Sequence, residues 1–173
     1  MNGKVINNEL MNHMLELANW APNHGSTEPW RFIVFGPATK SRFCEDHASL
    51  YKAHTEESKF NEVTFQNLRK MGDNASHIVI AYASRGELPK IPFFEEIVAT
   101  ACAIDNLLLA ANALGVAAYW GTGGMVLNPA FKEYLALSDE NTAVLGALYF
   151  GYTDAEIKEG SRKTPISSKI EWR

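Results

Sequence analysis

The chain has 173 residues, a length that suits a single domain with one sizeable core. Hydrophobic residues make up 46% of it and charged residues 21%, as in ordinary globular proteins, which excludes the disordered and fibrous classes. The formal net charge of -4 argues against a nucleic-acid groove, which needs a basic surface, but still permits a local cationic pocket.

Cysteine usage and local hydropathy favour a cytoplasmic protein. Cys44 and Cys102 form no CxxC pair and are too few for a disulfide framework, so a reducing compartment is the default. Residues 1–9 are polar and lack the apolar core of a signal peptide. Residues 97–120 are apolar enough to suggest a membrane span, but Asp105 at a bilayer centre would cost roughly 2.5 to 3.5 kcal/mol. We therefore expect no membrane partner.

Helical and strand patterns alternate along the chain, as judged from apolar periodicity and from capping and turn residues. In chain order we predict a helix capped by Asn7 or Asn8 that ends by Pro22, a strand over 30–35, helices over 41–54 and 56–71, a strand over 77–83, a helix over 93–114, a strand over 116–120, a short helix begun by Asn128 and Pro129, and a strand over 142–150. This order predicts an α+β or α/β domain with a central sheet and flanking helices. Residues 1–173 are expected to form one domain with a polar tail from about residue 151.

The predicted helix over 93–114 would be about 30 Å long, and its apolar residues surround its axis. Gly115 follows it, where a left-handed helix cap belongs. A helix that is apolar on nearly all sides must be buried on nearly all sides, and a domain this small has little core to enclose it. The simplest solution is a second copy of the chain, so the sequence predicts a homodimer.

Several catalytic and metal motifs are absent or weak. GxSxG does not occur, and residues 121–124 lack both the Gly-Lys-Ser/Thr of a P-loop and the third glycine of GxGxxG. His47 and His54 could share a helix face near Glu45, but two solvated histidines are the more ordinary interpretation than a metal site. Spacing alone does not exclude a Ser/His/Asp triad, yet nothing singles out a serine. We predict no metal.

Two stretches remain as candidates for a binding site. The segment WAPNHGSTEPWRFIVF, residues 20–35, holds an aromatic ring, an imidazole and a hydroxyl between a helix end and a strand start. The loop after Trp120 consists of small residues that leave backbone N–H groups open to a ligand. Taken separately, each stretch is more often an ordinary turn, and Trp30 an ordinary core residue.

Four short motifs occur in one order along nearly the whole chain. They are Ala21-Pro22 with Pro29-Trp30-Arg31-Phe32, Asn-Leu-Leu-Leu-Ala-Ala at 106–111 with Leu114-Gly115, Tyr119-Trp120-Gly121-Thr122-Gly123, and Gly151-Tyr152 with Arg162-Lys163-Thr164-Pro165. In this combination the chain resembles the nitroreductase family of FMN-dependent oxidoreductases. Asp105 stands where that family usually has Gln, and Thr164 is inserted into its Arg-Lys-Pro motif.

The resemblance implies an α+β fold with a central, mostly antiparallel sheet, and an interlocked homodimer that holds FMN at its interface. It assigns the flavin contacts to three groups of residues: Trp20, His24 and Ser26; Trp120, Gly121, Thr122 and Gly123; and Arg162 and Lys163. Opposite chains would supply the first and second groups. Arg162 could bind the phosphate through two hydrogen bonds, and Lys163 would add a point charge, although both could equally be a solvated pair on a mobile terminus.

The chain departs from the family pattern in two places. An Arg-Arg-Ser stretch that helps bind the phosphate normally precedes the first helix, whereas this chain begins Met-Asn-Gly-Lys. Either the chain is a shortened form, or Arg162, Lys163 and Lys4 carry the anion. Glu28 stands where many relatives have Gln, and an ionised carboxylate can only accept hydrogen bonds.

The resemblance further implies an enzyme in which FMN takes a hydride from NADH or NADPH and then reduces a nitroaromatic, a quinone or a similar acceptor in the same cavity, by a ping-pong mechanism. The cofactor does the hard chemistry, so no residue is predicted to be a general acid or a nucleophile. One alternative is a flavin-binding carrier or sensor with little turnover. A weaker one is a dimeric interaction module without a cofactor. The sequence does not distinguish NADH from NADPH, and it does not identify the physiological acceptor.

Overall fold

The computed structural model describes residues 1–137, 139–156 and 159–173, and an antiparallel sheet lies at its centre. Its strands are β1 (Trp30–Phe35), β2 (His77–Ser84), β3 (Ala117–Gly121) and β4 (Thr142–Gly151). Their order across the sheet is β1-β2-β4-β3, and every neighbouring pair is antiparallel. The predicted α+β fold with a central, mostly antiparallel sheet is therefore confirmed.

Helices flank this sheet, and asparagine side chains begin several of them. The helices are α1 (Asn8–Ala18), α2 (Lys40–His54), α3 (Glu62–Lys70), α4 (Phe93–Ala113) and α5 (Pro129–Tyr134). Oδ1 of Asn7, Asn61 and Asn128 accepts a hydrogen bond from a backbone N–H in the first turn of α1, α3 and α5 respectively. Such caps satisfy donors that have no partner within the helix. The predicted caps at Asn7 and Asn128 are thus confirmed.

One predicted helix is wrong in its extent. The sequence pattern predicts a helix over 56–71, whereas the structure has a short 3₁₀ turn at Glu57–Lys59 and begins α3 at Glu62. Phe60 lies between these elements with extended backbone angles, and its ring packs between Tyr51 and Phe65 at centroid distances of 5.6 and 5.9 Å. Burial of this ring against α2 and α3 outweighs the local helical preference.

Two hydrophobic cores lie on opposite faces of the sheet. Successive side chains of a strand point to opposite faces, so Val79 and Ala81 enter the core beneath α1 and α4, while Ile78 and Ile80 enter the core beneath α2 and α5. With helices covering both faces, β2 is continuously apolar from Ile78 to Ala81 instead of alternating with polar residues. This explains the continuous apolar run of β2 in the sequence.

Helix α4 is apolar on two sides, but only one of them is buried within the chain. Ile104 and Leu107 are fully buried in the core beneath α1 and α4. On the outer side, Phe94 is 72% exposed and Leu109 is 60% exposed, with Val98 and the charged Asp105 also exposed between them. A single copy of the chain therefore leaves an apolar strip along its longest helix.

The two candidate stretches meet the sheet at the same end. Antiparallel pairing places Trp30, at the start of β1, beside Ala83, near the end of β2, and Ala83 in turn beside Ala143, near the start of β4. Gly121, at the end of β3, pairs with Ala147 on the other side of β4. The residues before β1 and those after β3 therefore emerge at one end of the sheet but at opposite edges.

No helix in the part of the chain that the structure describes has the length and hydropathy needed to cross a bilayer. After β4, the one regular element within the described residues is a 3₁₀ turn at Ile166–Lys169. The organisation of residues 1–173 as one domain with a polar tail stays a prediction.

Leu107→Ala should lower the free energy of unfolding by about 2 to 5 kcal/mol, because it leaves a cavity in the core beneath α4. Urea unfolding followed by circular dichroism would measure the change. Val63→Ala, on the exposed surface of α3, is the control and should stay within about 0.5 kcal/mol of the parent protein. Equal effects of the two substitutions would contradict the placement of α4.

Candidate functional site

The connection between α1 and β1 contains a tight turn with unusual backbone geometry. The His24–Ser26 turn has Gly25 at φ +62° and Ser26 at φ +52°, and Glu28 follows at φ +45°. Gly25 is required here for space as well, since a Cβ on it would lie 2.7 Å from Cδ1 of Ile91. Left-handed angles at Ser26 and Glu28 cost of order 1 kcal/mol each and are typical of functional sites.

The imidazole of His24 is oriented by the start of α4. Its Nδ1 lies 2.7 Å from Oε2 of Glu95, and both side chains remain about half exposed. A carboxylate on one ring nitrogen fixes the ring plane, and Nε2 has no hydrogen-bond partner among the described residues. His24 therefore presents a fixed polar edge at the mouth of a cavity of about 380 Å³, which Phe94, Val98 and Cys102 also line.

A buried carboxylate holds the loop 84–92 against this turn. Glu96 is 2% exposed, and its Oε1 accepts a hydrogen bond of 2.8 Å from the backbone N–H of Gly86. A Cβ on Gly86 would lie within 3.0 Å of both Thr27 and the Glu96 carboxylate, so the loop rests directly on the turn. The sequence analysis did not identify Glu96. The available signal was the acidic pair Glu95-Glu96 in the first turn of the otherwise apolar helix α4.

Trp20 and Trp30, the two tryptophans of the first candidate stretch, have opposite environments. Trp20 is 79% exposed and offers a free aromatic face. Trp30 is buried, and its Nε1 donates a hydrogen bond of 2.8 Å to Oδ1 of Asn19 at the end of α1. Trp30 is therefore a structural residue, as its ordinary interpretation predicts, whereas Trp20 is available to a ligand.

The second candidate stretch begins with an indole packed on the neighbouring strand. Nε1 of Trp120 donates a hydrogen bond of 3.1 Å to the backbone oxygen of Leu145, and its ring occupies the space where a Cβ of Gly146 would lie. The glycine loop (residues 121–124) follows, with Thr122 and Gly123 exposed to solvent. Trp120 can thus offer a ligand its ring, but its N–H is already used.

His47 anchors the end of the glycine loop, which corrects the expectation that it is solvated. It is 2% exposed, and its Nε2 accepts a hydrogen bond of 2.9 Å from the backbone N–H of Met125. Gly124 adopts φ +64°, and a Cβ there would lie 2.8 Å from that same Nε2. His54 is exposed, as expected. The apolar side of α2, which includes Phe43 and Ala48, was the sequence signal that places His47 inside.

Burial determines the charge of this imidazole. The His47 ring packs against the rings of Phe43 and Phe131, and the ring centroids lie 5.8 and 5.2 Å from its own. Desolvation in this apolar setting lowers the pKa of His47 to about 4. A neutral His47 is needed, because a protonated Nε2 could not accept the hydrogen bond from Met125.

The predicted cations Arg162 and Lys163 lie on the tail. Both are exposed, and within the described residues Nη1 of Arg162 donates to the backbone oxygen of Ser161, at 3.2 Å. Lys4 lies 3.7 Å from a carboxylate oxygen of Asp154, so its charge is partly balanced. Among the described residues no group of three or more potential metal ligands occurs together.

Comparison with known proteins identifies the family. The model of the nitroreductase family matches residues 2–152 of the chain. The chain belongs to the nitroreductase family. It is 28% identical over 158 residues to the Bacillus subtilis protein named "Putative NAD(P)H nitroreductase YfhC", which covers 91% of this chain and 79% of that one.

Two solved structures give the same assignment for the nitroreductase fold. A nitroreductase-like family protein from Bacillus cereus superposes with a TM-score of 0.78 at 27% identity, covering 99% of this chain and 88% of that chain. A Bacteroides fragilis nitroreductase with bound FMN superposes with a TM-score of 0.68 at 25% identity, covering 94% of this chain and 87% of that chain.

In this nitroreductase chain the two candidate stretches do not meet. They adjoin β1 and β3, which lie at opposite edges of the sheet with two strands between them. At a strand spacing of about 4.8 Å, the edges are about 14 Å apart. A single copy of the chain therefore does not bring the His24–Ser26 turn and the glycine loop together, and we call them the two candidate half-sites.

His47→Gln should remove part of the pH dependence of folding. Between pH 6.5 and about 4 the unfolded chain binds a proton on His47 that the folded chain does not, so stability is complete above pH 6.5 and falls as the pH drops through this window. The loss amounts to about 3 kcal/mol. A glutamine can accept the bond from Met125 but does not titrate.

Urea unfolding of both proteins at pH 7 and pH 4 would measure this difference. All other titrating groups are common to the two proteins, including His77, whose pKa is also lowered by burial. The difference in unfolding free energy should therefore change with pH only through His47. A parallel loss of stability in both proteins would contradict the buried, neutral imidazole.

Proposed function

We propose that this protein is an FMN-dependent oxidoreductase that uses NADH or NADPH to reduce a small electron acceptor, such as a nitroaromatic or a quinone. The observation that carries the proposal is the pair of half-sites, which lie at one end of the sheet but at opposite edges. Membership of the nitroreductase family and a solved relative with bound FMN support the cofactor.

We infer that the working unit is a homodimer whose second copy covers the outer side of α4. Phe94, Val98 and Leu109 form an exposed apolar strip there, continuous with the 380 Å³ cavity beside His24. An apolar patch of this extent on a helix favours association, because burying it removes hydrocarbon from water. A second copy would also bring a complementary half-site to the interface.

Two further features favour an interlocked dimer over simple side-by-side contact. The tail after Gly151 exposes the apolar side chains of Ile166, Ile170 and Trp172. At the sheet edge, β1 has no strand on its outer side within the described residues. Unpaired strand edges and exposed apolar tails both tend to find partners. We propose that each subunit extends its tail over the other.

The residues at the half-sites fit a flavin ring, which is flat and apolar on its faces and has hydrogen-bonding atoms along its edge. Trp20 offers an exposed aromatic surface, and His24 offers a polar edge fixed by Glu95. A Cβ built on Gly123 would meet no atom within 4 Å, so a ring could approach the backbone of the glycine loop closely. Ser26, Gly121 and Thr122 would complete the polar contacts, with the Trp120 ring as packing surface.

We assign the phosphate of FMN to Arg162 and Lys163. Among the described residues, Arg162 donates through Nη1 alone, so its other guanidinium nitrogens could bind a phosphate in a bidentate manner. Lys4 is a weaker candidate because Asp154 already balances its charge.

Bound FMN would supply hydride transfer, which no amino-acid side chain provides. The chain's own residues would bind and orient the reactants, so we assign no general acid and no nucleophile. The donor and the acceptor would enter the same cavity in turn, which corresponds to a ping-pong mechanism.

A specific observation favours one second candidate, a flavin-binding carrier or sensor with little turnover. The cations assigned to the phosphate, Arg162 and Lys163, lie on an exposed tail, and the weaker candidate Lys4 is paired with Asp154. A weak hold on the phosphate would lower the affinity for FMN.

We also propose a cytoplasmic location. Cys44 and Cys102 are both unpaired thiols, as expected in a reducing compartment. The proposed electron donor, NAD(P)H, is supplied inside the cell.

The purified protein should be yellow or become yellow with added FMN, and NADH or NADPH should bleach the flavin band under anaerobic stopped-flow mixing.

His24→Ala should weaken FMN binding by about ten-fold, because one oriented polar contact to the ring is lost. Fluorescence titration of FMN would measure this affinity, with the remote surface variant His54→Ala as the control.

A protein that stays colourless with added FMN would contradict the proposal. Binding without bleaching would favour the carrier or sensor.

Initial rates with varied donor and acceptor should give parallel reciprocal plots, and intersecting plots would rule out the shared cavity.

The double variant Val98→Asp/Leu109→Asp should be monomeric and should lose FMN, since two carboxylates would be buried at the proposed interface. Light scattering coupled to size-exclusion chromatography would measure the mass. Val63→Asp on α3 is the matched control and should stay dimeric. A parent protein that is monomeric at micromolar concentration would contradict the proposed homodimer.

A further inference from the structure

A second pocket lies on the other side of the His24–Ser26 turn, between that turn and the loop 84–92. Its volume is about 460 Å³, and its walls include Ser26, Thr27, Arg31 and Arg85. Arg31 belongs to the Pro-Trp-Arg-Phe motif, but the proposed flavin contacts include neither arginine. Glu87 is the one carboxylate among the lining residues, so the lining side chains carry a net positive charge in a chain of net charge -4.

These two guanidinium groups have no acidic partner within 4.0 Å in the described part of the chain. Other arginines do: Arg42, Arg69 and Arg173 each form an ion pair with a nearby carboxylate. Two unpaired guanidinium groups in one pocket repel each other, and an anion between them would relieve that repulsion.

The chain holds Arg31 in place without using all of its donors. Its Nη1 donates to the backbone oxygens of Glu28 and Trp30, at 2.7 and 2.8 Å. The left-handed conformation of Glu28 belongs to the same turn. Nε and Nη2 of Arg31 have no partner among the described residues. The guanidinium is therefore oriented in advance and still has two donors for a ligand.

Arg85 and the floor of the pocket are held by the sheet and by Glu96. The backbone N–H of Arg85 donates to the oxygen of Asn141 at 2.8 Å, beside the ends of β2 and β4. Its Nη2 makes only long contacts, 3.3 and 3.5 Å, to the backbone oxygens of Pro89 and Ile91. Gly86 is fixed by the buried Glu96, so the loop that carries Arg85 cannot move freely away from the turn.

Hydroxyl groups complete the set of donors. The Ser26 hydroxyl makes no hydrogen bond within the described ranges, and that of Thr27 makes one long contact of 3.4 Å to the backbone oxygen of His24. Two guanidinium groups with two hydroxyls suit a phosphate or a carboxylate, whose oxygens accept several hydrogen bonds at once.

We propose that this pocket binds an oxyanion group of a reactant and so selects which reactant is used. The inference rests on the proposed function, since the pocket shares Gly25 and Ser26 with the turn assigned to the flavin. Two reactants could supply such a group. The 2′-phosphate distinguishes NADPH from NADH, and a carboxylate distinguishes an acidic acceptor from a neutral one.

The test compares Arg85→Gln, Arg31→Gln and the double variant with Arg42→Gln, which removes a guanidinium from the exposed side of α2. If the phosphate is the ligand, the ratio of kcat/KM for NADPH to that for NADH should fall about ten-fold with each pocket arginine. If the carboxylate is the ligand, the same fall should appear in the ratio for 4-nitrobenzoate to 4-nitrobenzamide. Arg42→Gln should change neither ratio.

Calorimetric titration with adenosine 2′-monophosphate, and separately with 4-nitrobenzoate, provides a readout that needs no turnover. One of these probes should bind the parent protein and lose at least about ten-fold in affinity in Arg85→Gln, whose side chain makes only long contacts and should be dispensable for folding. Arg31→Lys keeps the positive charge but lacks the guanidinium that bonds to the turn. It should retain part of the affinity for the probe, which separates the effect of the charge from the effect of the turn.

The proposal is overturned if both ratios and both affinities are the same in the parent and the double variant. That result would leave the flavin proposal intact, provided that the flavin band still bleaches with NAD(P)H. Conversely, arginine-dependent binding of either probe by a protein that does not take up FMN would support the pocket and overturn the proposed function.

Discussion

The structure depends on one helix that is apolar on two opposite sides. The inner side of α4 fills the core between the sheet and α1, where Ile104 and Leu107 are fully buried. Its outer side leaves Phe94 and Leu109 in contact with water. Hydrocarbon exposed over the length of a helix of 21 residues is unfavourable, and a single small domain has no element left to cover it. In the proposed dimer, the same surface would both stabilise the protein and close its ligand site.

Buried polar contacts fix the two half-sites relative to the sheet. Glu96 holds Gly86 on one side, and His47 holds Met125 on the other. In both cases a side chain that is 2% exposed accepts a hydrogen bond from a loop backbone N–H. Oε2 of Glu96 is already buried without a partner among the described residues. Losing either hydrogen bond would leave a further buried acceptor unpaired, so each contact favours one loop conformation. The two loops that are proposed to bind the flavin are thereby tied to the helices behind them.

The elements of the fold could be predicted from sequence because their signals are local. Apolar periodicity, asparagine caps and the Gly-Pro stop after β1 need no knowledge of the rest of the chain. The break at Phe60 and the burial of His47 could not be predicted with the same ease. Both depend on rings from other helices, Tyr51 and Phe131 among them, that come close only after folding. The nine candidate flavin residues came from the family resemblance, and their roles stay predictions.

The sequence by itself determined the order of the helices and strands, because capping and periodicity depend on neighbouring residues. These patterns left α+β and α/β open, and the antiparallel α+β class came from the family resemblance that four short motifs carry. Only the tertiary structure decided that the His24–Ser26 turn and the glycine loop lie at opposite edges of one sheet. It also brought Arg31 and Arg85 to one pocket across more than fifty residues of chain. Such distances are set by strand order and loop packing, which no local pattern specifies.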